Sequence, residues 1–489
     1  MEVIMMSNQT QGSARDRIDA ILDENSFVEI GAMVTARSTD FNMSDNAVPS
    51  DGVITGYGSV EGIPVYIYSQ DASVMNGSVG EMHAKKIVNI YDKAIKTGVP
   101  VIALVDCAGL RLQESTDALN AFGSIYRKQS LASGVIPQIT AVYGNCGGGM
   151  AVMAAMSDFT FMEKENAKLF VNSPNALDGN YTAKLDTAST KFQSEESGAA
   201  DFVGTADEIA EQIRTLVAFL PVNNVDDGAV ADVTDNLNRV CADIESEMPD
   251  AALALADIAD DGMFIEVKKN YAKSVVTGFI KLDGMTIGAV ANRTAVFDEN
   301  GKAAEKFDAV LTSRAAKKAA SFVTYCDAFD IPVLTLTNVK GFSATVCSEK
   351  SIASNVAALT KAFAGATVPR VNVVVGDAMG SAYVAMNSKA TGADIEFAWP
   401  QASIGMMDSK LAAKIMYADE ISKAADPNAV IAEKAAEYDK LQTSVQSAAA
   451  RGYVDAVIEP ADTRKYLISA FEMLASKDET VPYKKHSSK

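Results

Sequence analysis

Apolar residues occur along the chain in short, unbroken runs that alternate with longer amphipathic stretches. The runs VPVIALVD, IPQITAVYG, IPVLTLTN and PRVNVVVG are apolar at nearly every position. Strands covered by helices on both faces show this pattern, because neither face of the sheet contacts water. The pattern predicts an α/β fold in which apolar parallel strands alternate with crossover helices.

The same order of elements occurs twice, which predicts an internal duplication. Identical residues recur at a separation of 232 in the pairs Lys85 and Lys317, Pro100 and Pro332, Gly109 and Gly341, Pro137 and Pro369, and Gly144 and Gly376. The preceding hairpin repeats at a separation of 222, between Gly62 and Gly284. We therefore expect the second half to hold about ten extra residues around 298–307.

The duplication divides the 489 residues into two domains. We expect an N-terminal domain over 1–225, an acidic linker with a helix over 226–262, and a C-terminal domain over 263–489 that ends in helices. A chain of this length is large enough to bury two substantial cores.

Charge and the lack of targeting signals indicate where the protein works. The formal net charge is −20, and a surface this acidic repels nucleic acids and anionic membranes. Neither a secretion signal nor an apolar run of about 20 residues is present. We expect a cytoplasmic protein without a membrane span.

Cysteine and histidine usage restricts the available chemistry. The five cysteines are scattered and form no C-x-x-C pair, which indicates reduced thiols rather than disulfides or a zinc site. The two histidines are His83 and His486, too few for a histidine-rich metal site, so we expect no bound metal. We assign His83 no role in proton transfer.

Glycine loops between a strand and a helix are the candidate chemistry. Gly147, Gly148 and Gly149 precede an Ala/Met-rich helix, and Gly380, Ser381 and Ala382 occupy the same place in the second half. Such junctions concentrate free amide N–H groups and the positive end of the helix dipole, which suits an oxyanion. The alternative is glycine required only for tight helix packing. No nucleotide-binding P-loop or G-x-G-x-x-G motif is present, which disfavours use of ATP or a dinucleotide.

Several motifs together identify a family. The segments SQDASVMNGSVGE, VIALVDCAGLRLQE, VVVGDAMGSAYVAM and AWPQASIGMM resemble the carboxyltransferase subunit of biotin-dependent acyl-CoA carboxylases, of the propionyl-CoA carboxylase beta type, and of methylmalonyl-CoA decarboxylases. The resemblance implies two tandem crotonase-like domains. It also implies a hexamer, built as a trimer of dimers, with each active site between the N domain of one subunit and the C domain of another.

The resemblance also implies roles for individual residues. The amides of Gly148 and Gly149 would hold the thioester enolate of an acyl-CoA, and Gly380, Ser381 and Ala382 would hold the ureido oxygen of biotin. Residues that would contact acyl-CoA are Gly77, Ser78, Gly109, Arg111 and, at the end of the acyl pocket, Val384. For the acyl-CoA residues the alternative is a purely structural role, which for Val384 means a valine packed in the core.

The implied reaction transfers a carboxyl group between carboxybiotin and the α-carbon of a short-chain acyl-CoA, with propionyl-CoA and methylmalonyl-CoA as the expected pair. Since no biotinyl-lysine motif or biotin carboxylase domain is present, the expected partners are a biotin carboxyl carrier protein and either a biotin carboxylase subunit or a membrane decarboxylase subunit. The second partner would make the chain the alpha subunit of a sodium-pumping decarboxylase that runs the same transfer in reverse.

Departures from the family pattern leave two further functions open. The family segment DSGGAR is Asp106–Arg111 here, with Leu110 in place of alanine, and the segment Gly341–Glu349 lacks the usual Pro-Gly turn. A crotonase-like CoA enzyme that does not use biotin, or a catalytically weak scaffold, are therefore the remaining alternatives.

Overall fold

The computed structural model describes residues 12–46, 48–226 and 233–481. The chain divides into two compact units, Met1–Gly228 and Ala229–Lys489. The domain boundaries given above stay a prediction. Helices at 244–247 and 251–258, within the predicted linker, pack into the core of the second unit.

The first unit is an α/β unit with one mixed sheet. Its strands are β1 (Val28–Glu29), β2 (Val53–Val60), β3 (Ile63–Gln70), β4 (Val101–Cys107), β5 (Gln138–Gly147), β6 (Phe159–Glu163), β7 (Lys168–Phe170) and β8 (Phe202–Gly204). Its helices are α1 (Ala14–Ile21), α2 (Glu81–Thr97), α3 (Ser115–Ala132), α4 (Gly149–Met156), α5 (Asn180–Ala183) and α6 (Ala206–Phe219).

The second unit repeats this arrangement. Its strands are β9 (Phe264–Val267), β10 (Val275–Leu282), β11 (Met285–Asn292), β12 (Ala295–Phe297), β13 (Ala303–Lys306), β14 (Val333–Val339), β15 (Arg370–Met379), β16 (Ile395–Ala398), β17 (Ser403–Gly405) and β18 (Ala456–Val457). Its helices are α7 (Ile244–Glu247), α8 (Ala251–Ile258), α9 (Ser313–Ala328), α10 (Val346–Glu349), α11 (Ile352–Gly365), α12 (Gly380–Ala385), α13 (Ser409–Met416), α14 (Ala418–Lys423), α15 (Pro427–Tyr438), α16 (Val445–Ala450) and α17 (Thr463–Leu474).

The two sheets have the same topology and register. Their strand orders are β1-β2-β3-β4-β5-β6-β8 and β9-β10-β11-β14-β15-β16-β18, with β7 and β17 each added beside the long central strand. Val101 pairs with Gln138 in the first sheet, and Val333 pairs with Arg370 in the second, so both partners are displaced by 232. The register irregularity at the end of β4 also recurs at the end of β14. These equivalences agree with the predicted duplication.

The predicted extra residues of the second half form a structure of their own. β12 and β13 pair only with each other, as a two-stranded antiparallel sheet. The turn between them is closed by the Asp298 carboxylate, which accepts from the amides of Asn300 and Lys302 at 2.9 Å each. The insertion therefore leaves the large sheet unchanged.

Helix starts and buried faces follow from local sequence. Ser13 with Asp16 and Thr205 with Glu208 form reciprocal capping boxes that begin α1 and α6. In the first core α2 contributes Ile87 and Ile90. In the second core α17 contributes Leu467, Phe471 and their neighbours against the sheet. The helices that pack in the two cores hold the sheets, and with them the carboxyl ends of the parallel strands, in place.

No helix in the described ranges combines the length and apolar composition needed to cross a membrane. Residues 1–11, on which the expected lack of a secretion signal partly rests, lie outside the described residues. The cytoplasmic location stays a prediction.

Candidate functional site

The first candidate site lies at the carboxyl edge of strands β4 and β5. Cys107 and Cys146 are paired near the ends of these strands, so the turns that follow, 108–110 and 147–149, leave the sheet side by side. Gly109 has a φ of +114°, and no atom lies within 4 Å of the place that a Cβ would occupy. An open backbone of this kind lets a ligand approach the amide groups closely.

Gly148 forms the turn into α4 but does not offer its amide. Its φ of +59° lies in the left-handed region that favours glycine. Its N–H donates to the carbonyl oxygen of Phe170 at 2.9 Å, which extends the pairing of β5 with β7. The expectation that this amide holds an oxyanion is therefore corrected, because the hydrogen bond to Phe170 occupies it.

Gly149 is the first residue of α4, where helix geometry provides no intrahelical acceptor for the amide. Its carbonyl accepts a hydrogen bond from the hydroxyl of Tyr126 at 2.8 Å. A Cβ at this position would lie 2.6 Å from the ring of Phe122. Packing against α3 thus requires glycine and fixes the start of the helix, whose positive dipole end favours an oxyanion.

Arg111 is buried among protein groups. Its side chain is 0% exposed and pairs with Asp51 at 2.7 Å and Glu114 at 2.8 Å. It also donates to the carbonyl of Ser78 at 3.0 Å. The expected contact of Arg111 with acyl-CoA is corrected, because the guanidinium has no surface left for a ligand. Arg111 instead fastens the Ser78 segment to the turn after β4.

Gly77 and Ser78 border that turn. Gly77 has a φ of +64°, and a Cβ there would collide with the carbonyl of Asp106. The amide of Val79 donates to the carbonyl of Gly109 at 2.9 Å. The structure therefore brings Gly77, Ser78 and Gly109 together, while their contact with acyl-CoA stays a prediction.

His83 lies close to this site but is closed off from it. The side chain is fully buried, its Nδ1–H donates to the carbonyl of Asp51 at 3.0 Å, and its Nε2 accepts from the Gln70 amide at 3.2 Å. Burial lowers the pKa of His83 to about 3. The imidazole is therefore neutral at physiological pH, and the lack of a role for His83 in proton transfer stays a prediction.

The second candidate site is the equivalent edge of the second sheet. Gly380 has a φ of +61° and begins α12. Ser381 is exposed at the start of this helix, whereas the side chain of Ala382 is buried beneath it. A Cβ on Gly380 would lie 3.1 Å from the carbonyl of Met406, whereas the Cβ position of its counterpart Gly148 is open, so the second turn is the more closely packed of the two.

Val384 lies on the exposed face of α12. Its side chain is 38% exposed, and its carbonyl accepts from the hydroxyls of Ser388 and Thr391 at 3.1 and 2.9 Å. The alternative of a core valine does not fit this exposure. Lining of an acyl pocket stays a prediction.

Sequence reasoning missed one polar pair beside this second site. The Tyr383 hydroxyl donates to the carboxylate of Glu396, and Glu396 is 0% exposed. A single acidic residue inside the apolar strand IEFA was the signal that could have found it. Among the described residues, no group of three or more His, Cys, Asp or Glu side chains could hold a metal ion.

Comparison with known proteins extends over nearly the whole chain. The family model of the carboxyl transferase domain matches residues 8–488. The chain is 38% identical to the propionyl-CoA carboxylase beta chain of Roseobacter denitrificans over 487 residues, which are 97% of this chain and 92% of that protein. It is 38% identical to the methylmalonyl-CoA decarboxylase subunit alpha of Propionigenium modestum over 486 residues, again 97% and 92% of the two chains.

A solved structure gives the same result. The transcarboxylase 12S hexamer, crystallised with methylmalonyl-coenzyme A and methylmalonic acid, aligns with a TM-score of 0.90 at 36% identity and covers 98% of this chain and 92% of its own. This match confirms the predicted crotonase-like α/β fold. With two sheets of one topology, a glycine-led helix start at the edge of each, and a family model spanning almost every residue, the chain belongs to the carboxyl transferase family.

Proposed function

We propose that this protein moves a carboxyl group between biotin on a separate carrier protein and the α-carbon of a short-chain acyl-CoA. Propionyl-CoA and methylmalonyl-CoA are the proposed substrate pair. The observation that supports this is the pair of glycine-led helix starts, at Gly149 and Gly380, at equivalent edges of the two sheets. The transfer needs two oxyanion sites, one for the thioester oxygen and one for the ureido oxygen of biotin, and the proposal assigns one to each unit.

The residues at both turns fit these groups. The site of a Cβ on Gly109 or Gly148 is open, and Ser381 is exposed at the second turn. When bound, biotin supplies or accepts the carboxyl group. The chain itself binds and orients, through the amide of Gly149 toward the thioester oxygen and the amides of Ser381 and Ala382 toward the ureido oxygen.

Side-chain proton transfer is not part of the proposal. His83 is buried and neutral. Around the first turn, the proposed acyl-CoA contacts are Gly77, Ser78 and Gly109, whose backbone forms the rim of the site. Rate enhancement then comes from fixed amide dipoles that stabilise developing negative charge.

Val384 is the residue proposed to end the acyl pocket. It is apolar and exposed on α12, close along the chain to Ser381 and Ala382. An apolar pocket end distinguishes acyl chains that differ by one methylene by only about 1–3 kcal/mol. Modest selectivity among short acyl chains is expected.

Partners and assembly are proposed from the family. A biotin carboxyl carrier protein and a biotin carboxylase subunit would complete an acyl-CoA carboxylase. A hexamer is proposed because the structurally similar transcarboxylase 12S is one.

Decarboxylation is the second candidate direction. The similarity to a methylmalonyl-CoA decarboxylase subunit alpha favours it as strongly as the similarity to propionyl-CoA carboxylase beta chains favours carboxylation. In that case the partner is a membrane decarboxylase subunit. The same two turns serve both directions.

The test is transfer from methylmalonyl-CoA to free biotin by the purified chain. We expect propionyl-CoA to form in a biotin-dependent manner, with malonyl-CoA accepted less well or equally. Formation of free acid by thioester hydrolysis, without biotin dependence, would support the CoA-enzyme alternative. No turnover of either substrate by an assembled hexamer would contradict the proposal and leave the scaffold alternative.

A further inference from the structure

The buried carboxylate of Glu396 contacts the middle of α12, the helix that begins the second site, and the turn that follows this helix. Its Oε1 accepts from the hydroxyl of Tyr383, within α12. Its Oε2 accepts from the backbone amide of Lys389 at 2.5 Å, at the start of the 3-10 turn Lys389–Thr391 that follows α12. One carboxylate thus fixes the helix through its middle and through the turn after it.

The rest of the surroundings hold the carboxylate in place. The amide of Glu396 donates to Asp455 at 2.8 Å, and the Lys389 ammonium pairs with Asp455. Tyr383 packs against the apolar cluster of Val374, Ala378, Ala398, Ala402, Ile404, Val445, Ala448 and Val454. A buried carboxylate with two donors in good geometry is held far more strictly than a surface one.

The first unit forms the same junction without this pair. Thr160 occupies the position of Glu396 in the matching strand, and its amide likewise donates to a carboxylate, that of Asp201, at 2.7 Å. Ala151 occupies the position of Tyr383, since Gly148 and Gly380 are equivalent. The fold therefore does not need the pair, and its presence in one unit alone indicates a task of the second site.

We propose that Glu396, acting through Tyr383 and Lys389, is a positioning residue that fixes α12 and so aims the amides of Ser381 and Ala382. This assignment rests on the proposed function, in which those amides hold the ureido oxygen of biotin. It concerns a side chain that touches neither substrate nor cofactor.

The same geometry makes the positioning dependent on protonation. As a carboxylate, Glu396 accepts from both donors. When it is protonated, its own hydrogen competes with the Tyr383 hydroxyl and the Lys389 amide for the same space, so one of the two contacts is lost. Burial raises the pKa of Glu396 to about 7. The charged or titratable groups that face it are Tyr383, Lys389 and Asp455.

The experiment uses the full-length chain with methylmalonyl-CoA and free biotin, with kcat and both KM values measured between pH 5.5 and 8.5. In wild type we expect turnover to fall as pH decreases through about 7. Glu396→Gln keeps one acceptor and should lower kcat about tenfold, raise the KM for biotin and leave the KM for methylmalonyl-CoA within about twofold. Its pH profile should lack the fall near neutrality.

Tyr383→Phe preserves the ring packing and removes one contact. It should also raise the KM for biotin, but it should keep the pH-dependent fall, because Glu396 remains. Glu247→Gln is the matched control: Glu247 lies in the same unit on α7 and burial also raises its pKa. The control should have the wild-type profile and constants.

The outcomes separate this assignment from the proposed function. Folded Glu396→Gln and Tyr383→Phe proteins with the wild-type KM for biotin and the wild-type pH profile would overturn the assignment alone. Equal changes in both KM values together with a lower Tm would also overturn it, since that result indicates a purely structural role. Wild type that transfers nothing to biotin at any pH would overturn the proposed function and this assignment with it.

Discussion

Lys86 and Lys318 place their ammonium groups at the same point of the two units, although they are 232 residues apart. The Lys86 Nζ donates to the carbonyls of Ser50 and Val53 at 3.1 and 2.5 Å. The Lys318 Nζ donates to the carbonyls of Lys268, Tyr271 and Val275, at 2.9, 3.0 and 2.8 Å. Each lysine lies on the helix that follows the hairpin, α2 or α9, and holds in place the segment that leads into the hairpin's first strand, β2 or β10. The sequence Ala-Lys-Lys, which occurs at 84–86 and again at 316–318, therefore marks a structural contact that is repeated in the two units.

Lys318→Met should destabilise the second unit by about 3 kcal/mol or more, because buried carbonyls lose their donor. Lys317→Met, at the adjacent position, is the control and should change stability by less than about 0.5 kcal/mol. Urea unfolding measures both. Equal midpoints for the two variants would contradict the structural role of the Lys318 ammonium.

Arg111→Met should behave as a folding variant. Removal of the guanidinium leaves the carboxylates of Asp51 and Glu114 buried without a counter-charge, which costs about 3–5 kcal/mol. Arg37→Met removes the exposed member of the Arg37–Glu81 pair and should cost less than about 1 kcal/mol. Thermal unfolding compares them. If Arg111→Met is stable and differs from wild type only in a raised KM for acyl-CoA, the result would support direct contact of Arg111 with acyl-CoA after all.

Gly148 and Gly149 should respond differently to alanine. Gly148→Ala has free space but needs a φ of +59°, so it should cost about 1–2 kcal/mol of stability. Gly149→Ala has a Cβ 2.6 Å from Phe122, so it should displace the start of α4 and lower turnover about 100-fold. The double variant Gly149→Ala with Phe122→Ala, which removes the obstructing ring, should recover part of that turnover. Turnover that stays unchanged in Gly149→Ala would remove Gly149 from the site.

Asp158 gives the first unit a pH-dependent stability. Burial raises the pKa of Asp158 to about 7, and its carboxylate accepts a hydrogen bond from the backbone amide of Gln138 at 2.8 Å. A pKa higher in the folded than in the unfolded state means that the folded protein binds the proton more tightly. This contribution is fully present below about pH 4 and is lost as pH rises through about 7.

Asp158→Asn should remove this dependence. Between pH 5 and pH 8 the wild type should lose about 2–4 kcal/mol more than the variant in free energy of unfolding. Asp394, which accepts from the Arg370 amide in the second unit and pairs with Lys477 at 2.9 Å, provides the comparison. Asp394→Asn should lower stability at both pH values. If the free energies of unfolding of wild type and Asp158→Asn depend on pH in the same way, the result would contradict the buried-acid explanation.

Val384→Asp tests acyl selection. A carboxylate at the proposed end of the acyl pocket should disfavour longer apolar chains, so the kcat/KM values for acetyl-, propionyl- and butyryl-CoA should change relative to one another by about tenfold or more. The exposure of Val384 makes the substitution tolerable for folding. Unchanged relative values in a folded variant would assign the residue no role in selection.

Much of the fold was predictable because it depends on patterns local in sequence. Apolar runs located β4, β5, β14 and β15. The constant separation of 232 indicated a duplication, with which the equivalent pairings of Val101 with Gln138 and of Val333 with Arg370 agree. The extra residues near 298–307 were placed correctly for the same reason.

The errors arose where a partner is distant in sequence. The Gly148 amide is occupied by Phe170, which belongs to a short strand that the local pattern does not reveal. Arg111 was interpreted from its motif, but its burial depends on Asp51, which lies 60 residues before it. The proposed positioning role of Glu396 depends on Tyr383, which lies on another element. The position of a motif in the sequence shows where its backbone lies in the fold. Whether an amide or a side chain in the motif is free to bind a ligand depends on the residues that the fold places beside it.

The separate hairpin of β12 and β13 provides a place to attach a probe. Its turn residues Glu299, Asn300 and Gly301 are exposed, and its strands share no pairing with the large sheet. An epitope or fluorophore-binding peptide inserted after Asn300 would lengthen a turn that already accommodates additional chain. Such a labelled protein could report assembly and carrier binding by fluorescence while both glycine-led turns keep their native sequence.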